Sequence, residues 1–295
     1  MGIFKVTIGM PVKNCEATIA EAIVSVINQT IDCWKLIIVD DGSIDNTAEI
    51  VSNFNDDRII FLQRKETKGL PARLNEIIKI ADTEFFARMD GDDISYPERL
   101  ENQLSYLINN PSIDLIGAGM LVIDSEGKII GKRTPPEEHN LICKRPWLGI
   151  PIPHPTFMAR TEWLKKHMYN PYFNKTQDLE LLMRTYETSK FGNIPSILIA
   201  YRQENKFLKK ILISRWSSIK ILLLWGCKKS KIHLALMGIL LHLVKLIYDA
   251  LIHSLGIEDV KLKYKAKPSN TDDENKWRNV KARLFEKMEK LVIKT

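Results

Sequence analysis

The sequence predicts an α/β protein: a mostly parallel sheet flanked by helices, followed by a helical extension. Three observations lead there. Strand-like and helix-like segments alternate from Phe4 to Asp90. Behind them a hairpin pattern and further strands give a mixed second half. Beyond Asn205 the composition turns to lysines interleaved with long aliphatic runs. Alternation of the first kind implies parallel strands joined by right-handed helical crossovers.

The elements follow in order. "FKVTIGMP" alternates, is β-branched and stops at Pro11, so it reads as a strand. Ile19, Ala22, Ile23, Val26 and Ile27 recur at helical spacing and give a helix with one buried face. "KLIIVDD" is a short continuous apolar run, expected of a strand covered on both sides. "GSIDNTAEIVSNF" turns into a helix, with Asp45 or Asn46 as N-cap. "RIIFLQR" reads as a strand, "LPARLNEIIKIA" as a helix burying Leu74, Ile77, Ile78 and Ala81, and "EFFARMD" as the fourth strand. After a helix at "PERLENQLSYLI", the segments "DLIGAGMLVID" and "KIIGKR" flank the turn "SEG" and read as a hairpin. "HPTFMAR" and "NIPSILIAYR" are further strands, with a helix at "DLELLMRTYE" between them.

Bulk properties bound the function. The 295 residues are 45% hydrophobic and 27% charged, with a net charge of +7 and a pI near 9.1. A basic balance suits nucleic acid, an anionic ligand or an acidic membrane surface. The four cysteines, Cys15, Cys33, Cys143 and Cys227, form no C-x-x-C pair, which argues for reduced thiols over a disulfide framework or zinc site. The start at Met1 runs straight into a strand, so no signal peptide is expected and the protein is placed in the cytoplasm.

The chemistry concentrates in two acidic clusters at the carboxyl ends of strands, where open parallel sheets bind ligands. Asp40 and Asp41 close the second strand, and Asp90, Asp92 and Asp93 follow the fourth, around Gly91. Like charges packed so closely repel. Carboxylates at D-x-D spacing on a turn can share one hard cation, Mn²⁺ or Mg²⁺, together with phosphate oxygens. Arg88 precedes them and is placed to pair with one. Asp45, Asn46 and Ser95 are better read as caps and turn formers.

"TIGMPVKN", "IIVDDGSIDNT", "KGLPARLNEI" and "ARMDGDDIS", in that order, resemble the inverting family 2 glycosyltransferases. The bacterial exopolysaccharide, capsule and lipopolysaccharide enzymes are the nearest in pattern. The resemblance runs from Val6 to Arg202 and implies the GT-A fold, a Rossmann-like mixed sheet flanked by helices. It implies a nucleotide-sugar donor, expected to be a UDP-sugar, and a glycan or lipid-linked acceptor. Position by position, it places Pro11 against the base, Asp41 with Asp40 on the base or ribose, and Lys68 as a basic nucleotide contact. It sets Asp90 toward the ribose and Asp92 on the metal that bridges the diphosphate. The family's catalytic base matches Asp178 in "TQDLELLMR", which Arg184 closes; Gln177 stands where a glutamate is common. On the residues alone, Asp178 serves equally well as a helix N-terminal charge. His154 in "PIPHPTFMAR" is a candidate contact to diphosphate or acceptor and equally a structural hydrogen-bonder.

The chain divides into a catalytic region, 1–205, a basic apolar helical region, 206–256, and a polar tail, 257–295, with Trp277, Val280, Leu284, Met288 and Leu291 at helical spacing. Ile232–Val244 lacks Lys, Arg, Asp and Glu. As a helix it spans only ~20 Å, short of a ~30 Å hydrocarbon core. Its continuation adds a stripe of His242, Lys245, Asp249 and His253 opposite Leu236, Leu240, Leu243, Ile247 and Ala250. That predicts an amphipathic helix lying on the anionic inner face of the cytoplasmic membrane; a helix packed on the catalytic region is the alternative. Nucleic acid is excluded, because the basic residues mix with aliphatics and not with stacking aromatics. A nucleotidyltransferase would carry a glycine-rich basic loop where "MPVKNCEATI" stands. An inactive glycan-binding homologue would be expected to lack Asp92 or Asp178, and both are present.

Overall fold

The computed structural model describes residues 4–203, 208–255 and 266–292. The expected junctions near 205 and 256, and Lys206, lie outside these residues. The first half runs β1 (Val6–Val12), α1 (Ile19–Ile27), β2 (Trp34–Asp41), α2 (Thr47–Ser52), β3 (Ile59–Arg64), α3 (Leu70–Ile80) and β4 (Phe85–Arg88). The second half runs β5 (Ile94–Ser95), α4 (Arg99–Asn109), β6 (Leu115–Ile123), β7 (Ile129–Arg133), α5 (His139–Ile142), β8 (Met158–Arg160), α6 (Thr161–His167), α7 (Gln177–Thr185) and β9 (Phe191–Arg202). Three helices follow: α8 (Leu208–Lys228), α9 (Ile232–Ser254) and α10 (Thr271–Val292).

One sheet runs β3-β2-β1-β4-β8-β6-β9-β5, with β7 paired to β6. The β3-β2-β1-β4 half is parallel, and β8 pairs antiparallel with both β4 and β6. The expected hairpin is present, with Met120 opposite Arg133. "HPTFMAR" is only partly a strand: His154–Thr156 is a turn of 3₁₀ helix, and β8 begins at Met158.

β2 is buried along its whole length because the core lies on both sides of the sheet. Leu36 and Ile38 join α1 and α4, whereas Ile37 and Val39 join α3, α6 and α7. Period-two alternation delivers successive side chains to opposite faces.

Two expectations for the C-terminal third change. The polar tail is no separate appendage. Trp277, Val280 and Leu284 of α10 are buried with Val24, Tyr96, Leu121 and Ile123 of the catalytic region. Trp277 stacks on Tyr96 at 6.4 Å, and its Nε1–H donates to the Gly127 carbonyl at 2.9 Å. In α9, Asp249 was placed on an outward polar stripe; instead it is 2% exposed, where Arg215 of α8 donates to it at 3.1 and 3.2 Å. A buried carboxylate needs a paired cation, and that pairing turns the helix. Leu236, Leu240, Ile247 and Leu251 are left more than half exposed.

Candidate active site

β1 lies between β2 and β4, so the two acidic clusters close neighbouring loops on the same edge of the parallel half. The loop after β1 is tied to the loop after β2 by reciprocal bonds. Asn14 N–H donates to Ser43 Oγ at 2.9 Å, Ile44 N–H to Asn14 Oδ1 at 3.0 Å, and Cys15 N–H to Thr47 Oγ1 at 2.7 Å. Asn14 sits at φ 52, a region a small polar residue tolerates. Pro11 is buried within β1 opposite Val39.

Asp41 does work other than the direct nucleotide contact expected of it, whereas Asp40 keeps one buried carboxylate oxygen, Oδ2, without a donor among the described residues. Asp41 Oδ1 accepts from Lys68 N–H at 2.8 Å and Arg73 Nε at 2.7 Å, and Oδ2 from Gly69 N–H at 2.8 Å. That carboxylate is 7% exposed and takes three donors from its own chain; it clamps the 65–69 loop onto the start of α3. Gly69 there has φ +86, and a Cβ would meet Asn174 Nδ2 at 2.5 Å, so the loop after α6 lies directly over it. Asp40, fully buried, accepts from Ser43 N–H at 3.0 Å and Ser43 Oγ–H at 2.5 Å. The Lys68 ammonium turns to Glu66 at 3.5 Å. The cation reaching across this loop is Lys13, whose Nζ donates to Thr67 Oγ1 at 2.5 Å.

The carboxylate oxygens of Asp90, Asp92 and Asp93 lie within 4.8 Å of one another. Gly91 is required here for close approach: a Cβ would sit 2.8 Å from Val12 Cγ1. Three features fit the cluster to a hard cation. Its oxygens converge. Asp93 Oδ2 is buried without a donor among the described residues. Burial, then Asp90 and Asp92, push the Asp93 carboxyl well above the usual range, the response of crowded acids lacking a counter-charge. Arg88 supplies part of that charge, as its position suggested: it pairs with Asp90. It is 3% exposed, and its Nε and Nη1 find no acceptor among the described residues. Beneath it, burial and then Arg88 itself pull the Arg99 guanidinium down to about 9, while Arg99 Nη2 donates to the Arg88 carbonyl at 2.6 Å. Cys15 packs beside Gly91, where burial pushes its thiol up to about 12 and makes it inert.

His154 and Tyr169 form a second buried pair, and Asp178 opens α7 within electrostatic reach of Tyr169. His154 is buried, with Nε2 2.9 Å from the Tyr169 hydroxyl and its ring edge-on to Phe157 at 4.9 Å. Burial, then the Arg88 charge, hold it neutral, well below the usual histidine range. Asn75 of α3 fixes Tyr169 by two backbone bonds, at 2.8 and 2.9 Å. Burial raises the Tyr169 hydroxyl, Arg88 opposes this, and the charges of Asp178 and Asp90 add to it. One buried hydroxyl thus senses the acid after β4 and the acid opening α7. Asp178 is half-buried in the first turn of α7. Arg184 is not brought to these acids. Its guanidinium is held by Glu180 at 2.8 Å and by the Met168 carbonyl at 2.9 Å, which fastens α7 to the end of α6.

Of the expected set, the structure brings Asp90 and Asp92 together, sets His154 against the Tyr169 hydroxyl, leaves Asp178 within electrostatic reach of that hydroxyl and sends Arg184 elsewhere. Sequence reasoning missed Arg73, Tyr169 and Arg202. Arg202 joins the cluster from the end of β9: its backbone N–H donates to Asp93 Oδ1 at 2.9 Å and its Nε to the Asp92 carbonyl at 3.0 Å. The one local signal was "YR" closing an apolar strand. The arrangement can hold a cation and a diphosphate on the β4 side and a proton-accepting carboxylate on the α7 side.

Residues 7–168 match the model of glycosyl transferase family 2. EpsE of Bacillus subtilis, a protein named as a glycosyltransferase, is 33% identical over 78% of this chain and 84% of its own. WfgD of Escherichia coli, a UDP-Glc:alpha-D-GlcNAc-diphosphoundecaprenol beta-1,3-glucosyltransferase, is 35% identical over 50% of this chain and 59% of its own. TarS of S. aureus, solved in complex with UDP-GlcNAc, superposes with a TM-score of 0.63 over 98% of this chain and 83% of that one, at 18% identity. At that identity the likeness concerns the fold, a GT-A-like mixed sheet with flanking helices.

Proposed function

Because the chain belongs to glycosyltransferase family 2, we propose that it moves a sugar from a UDP-sugar to a glycan or lipid-linked acceptor, with inversion, in cell-surface polysaccharide synthesis. The observation that carries the reading is the convergence of the Asp90, Asp92 and Asp93 carboxylates within 4.8 Å of one another at the end of β4. WfgD, whose name specifies a UDP-glucose donor and a diphospholipid acceptor, and TarS, solved with UDP-GlcNAc, support the donor and acceptor classes.

The residues divide the chemistry. Asp90 and Asp92 would hold Mn²⁺ or Mg²⁺, which supplies positive charge against the diphosphate leaving group. Arg88 keeps two donor nitrogens for the same charge. Asp178 takes the proton of the acceptor hydroxyl as that oxygen attacks the anomeric carbon. His154, held neutral, orients the Tyr169 hydroxyl. Asp40 and Asp41 shape the loops that frame the base.

The α8–α9 face supports work at the inner surface of the cytoplasmic membrane. Large exposed apolar side chains include Trp216 and Leu224 of α8 and Leu240 and Ile247 of α9, more than a soluble surface normally leaves bare. At ~1.5 Å per residue α9 is long enough to cross a bilayer. Yet a Cβ at Gly238, mid-helix, would meet the Trp147 carbonyl at 2.5 Å, and Asp249 is held by α8. A helix bound to protein at its middle and near its end lies along the surface.

The test is a panel of nucleotide-sugars with Mn²⁺, scored by free nucleotide released in the presence of a membrane extract as acceptor. A UDP-sugar should turn over, and Asp92→Ala should abolish both turnover and Mn²⁺-dependent donor binding with the fold intact. Full activity in excess chelator would sink the metal assignment.

A further inference from the structure

We infer that the cavity between α10, the start of α4 and the middle of β9 is a second, non-catalytic site, one that binds a neutral saccharide unit. Its volume is about 310 Å³, at the low end of the ~300–1,000 Å³ of small-ligand pockets. Tyr96 and Glu98 line it ahead of α4, Lys132 from β7, Ser196 from β9, and Asp273 and Lys276 from α10. It is set apart from the acid cluster. Leu198, on its wall, comes four residues before Arg202 on β9, ~13 Å along the strand.

One buried group there lacks a partner. Tyr96 is 1% exposed and stacked on Trp277, and its hydroxyl finds no hydrogen-bond partner among the described residues. Folded chains rarely leave such a group unpaired. The hydroxyl is turned toward the cavity: after burial, the charges that raise its pKa are Glu98 and then Asp273, both on the cavity wall.

The ionic groups select against an ion. Lys132 is paired with Asp273 at 2.7 Å and Lys276 with Asp272 at 3.1 Å, so no surplus of positive charge remains to hold a phosphate. Glu98 makes no capping bond to α4. A single carboxylate is too little for a hard cation, but it accepts strongly from hydroxyl groups. Beside it the Asn102 amide and the Tyr96 hydroxyl can each donate and accept. The adjacent hydroxyls of a sugar, donors and acceptors at once, match that mixed set. An apolar ligand would leave it unpaired. The binding itself does not depend on the transferase reading; that reading makes the growing glycan the source of the sugar.

The experiment titrates the full-length protein, with and without UDP, with methyl β-glucoside, N,N′-diacetylchitobiose and inorganic phosphate, followed by saturation-transfer NMR and calorimetry. At least one saccharide should bind with a Kd below ~10 mM, equally in both conditions, and phosphate should not displace it. Tyr96→Phe, which keeps the ring on Trp277, and Glu98→Gln should each weaken that binding tenfold or more while UDP affinity stays within twofold. Tyr96→Phe should also unfold in urea no earlier than wild type, because the deleted hydroxyl has no bond to lose. Lower stability of that variant would mean that the hydroxyl already has a structural partner, and would overturn the assignment. So would the absence of saccharide binding, displacement by phosphate, competition by UDP, or binding indifferent to both variants. Saccharide binding at Tyr96 by a wild-type protein that binds no UDP would uphold this site and count against the transferase reading instead.

Discussion

Arg202→Met tests whether the acid turn is held from behind. The backbone N–H of residue 202 donates to Asp93 Oδ1 whatever the side chain. The guanidinium makes four further bonds: to the Asp92 carbonyl at 3.0 Å, the Asp124 carbonyl at 3.5 Å, the Ser125 carbonyl at 2.7 Å and Glu21 Oε2 at 2.7 Å. Ser125 is exposed and the Glu21 side chain is 37% exposed, so both rehydrate and their loss costs little. The Asp92 carbonyl loses a charged donor inside the turn. A bond of that kind contributes about 1.5–3 kcal/mol, and the methionine stem keeps the apolar packing. Arg202→Met should therefore lower stability by about 2–3 kcal/mol in urea unfolding. Arg202→Lys, able to restore one bond of the four, should recover part of it. The same loosening should weaken Mn²⁺-dependent donor binding about tenfold, equivalent to roughly 1.4 kcal/mol, and leave metal-free UDP binding less affected. Stability within about 0.5 kcal/mol of wild type, with unchanged Mn²⁺-dependent affinity, would refute the positioning role.

Three more outcomes are expected. Asp178→Asn should slow single-turnover transfer by roughly 10²–10⁴ with donor affinity unchanged within a few-fold, and Gln177→Ala should cost much less; near-normal transfer by the asparagine variant would place the base elsewhere. His154 is neutral when folded and takes a proton near pH 6.5 when unfolded, so it adds stability above that pH that is lost as pH falls below it. The slope approaches about 1.4 kcal/mol per pH unit, and the stability gap between wild type and His154→Phe should narrow between pH 7 and 5.5 in urea titrations. Trp277→Ala should cost about 3 kcal/mol, measured the same way, because it empties the pocket that α10 fills between Tyr96 and Gly127.

Much of the fold was legible because strands buried on both faces write themselves as unbroken apolar runs. β2 is the clearest case, and the β6–β7 hairpin was announced by its turn. β5 was not legible: two residues carry no period, and Ile94–Ser95 is a strand only because β9 pairs with it. Nor was the facing of α9. The expected stripe splits: Lys245 and His253 stay exposed, while His242 is half-buried and Asp249 is turned fully inward by one ion pair with Arg215 on the preceding helix. The tail read as polar because most of α10 is polar; three apolar residues on one side were enough to bury it.

The site divides along the same line. Acids at strand ends are visible in one dimension, since the strand and its terminus are local. What each acid touches is not local. Asp40 and Asp41 are adjacent and chemically identical, and the sequence offered both as ligand contacts. Strand alternation sends them to opposite faces. Asp41 meets the guanidinium of Arg73, thirty-two positions on, together with two backbone N–H groups of the intervening loop. A buried carboxylate already holding three charge-assisted bonds from its own chain has little left to offer a ligand hydroxyl. Asp90 differs. Its single strong partner, Arg88, still carries two donors without acceptors, and its neighbours Asp92 and Asp93 bring more negative charge than Arg88 can offset. Unbalanced charge and unfilled donors in one buried place mark where the ligand belongs, and that balance exists only once the sheet has brought β4, β9 and the His154 turn together.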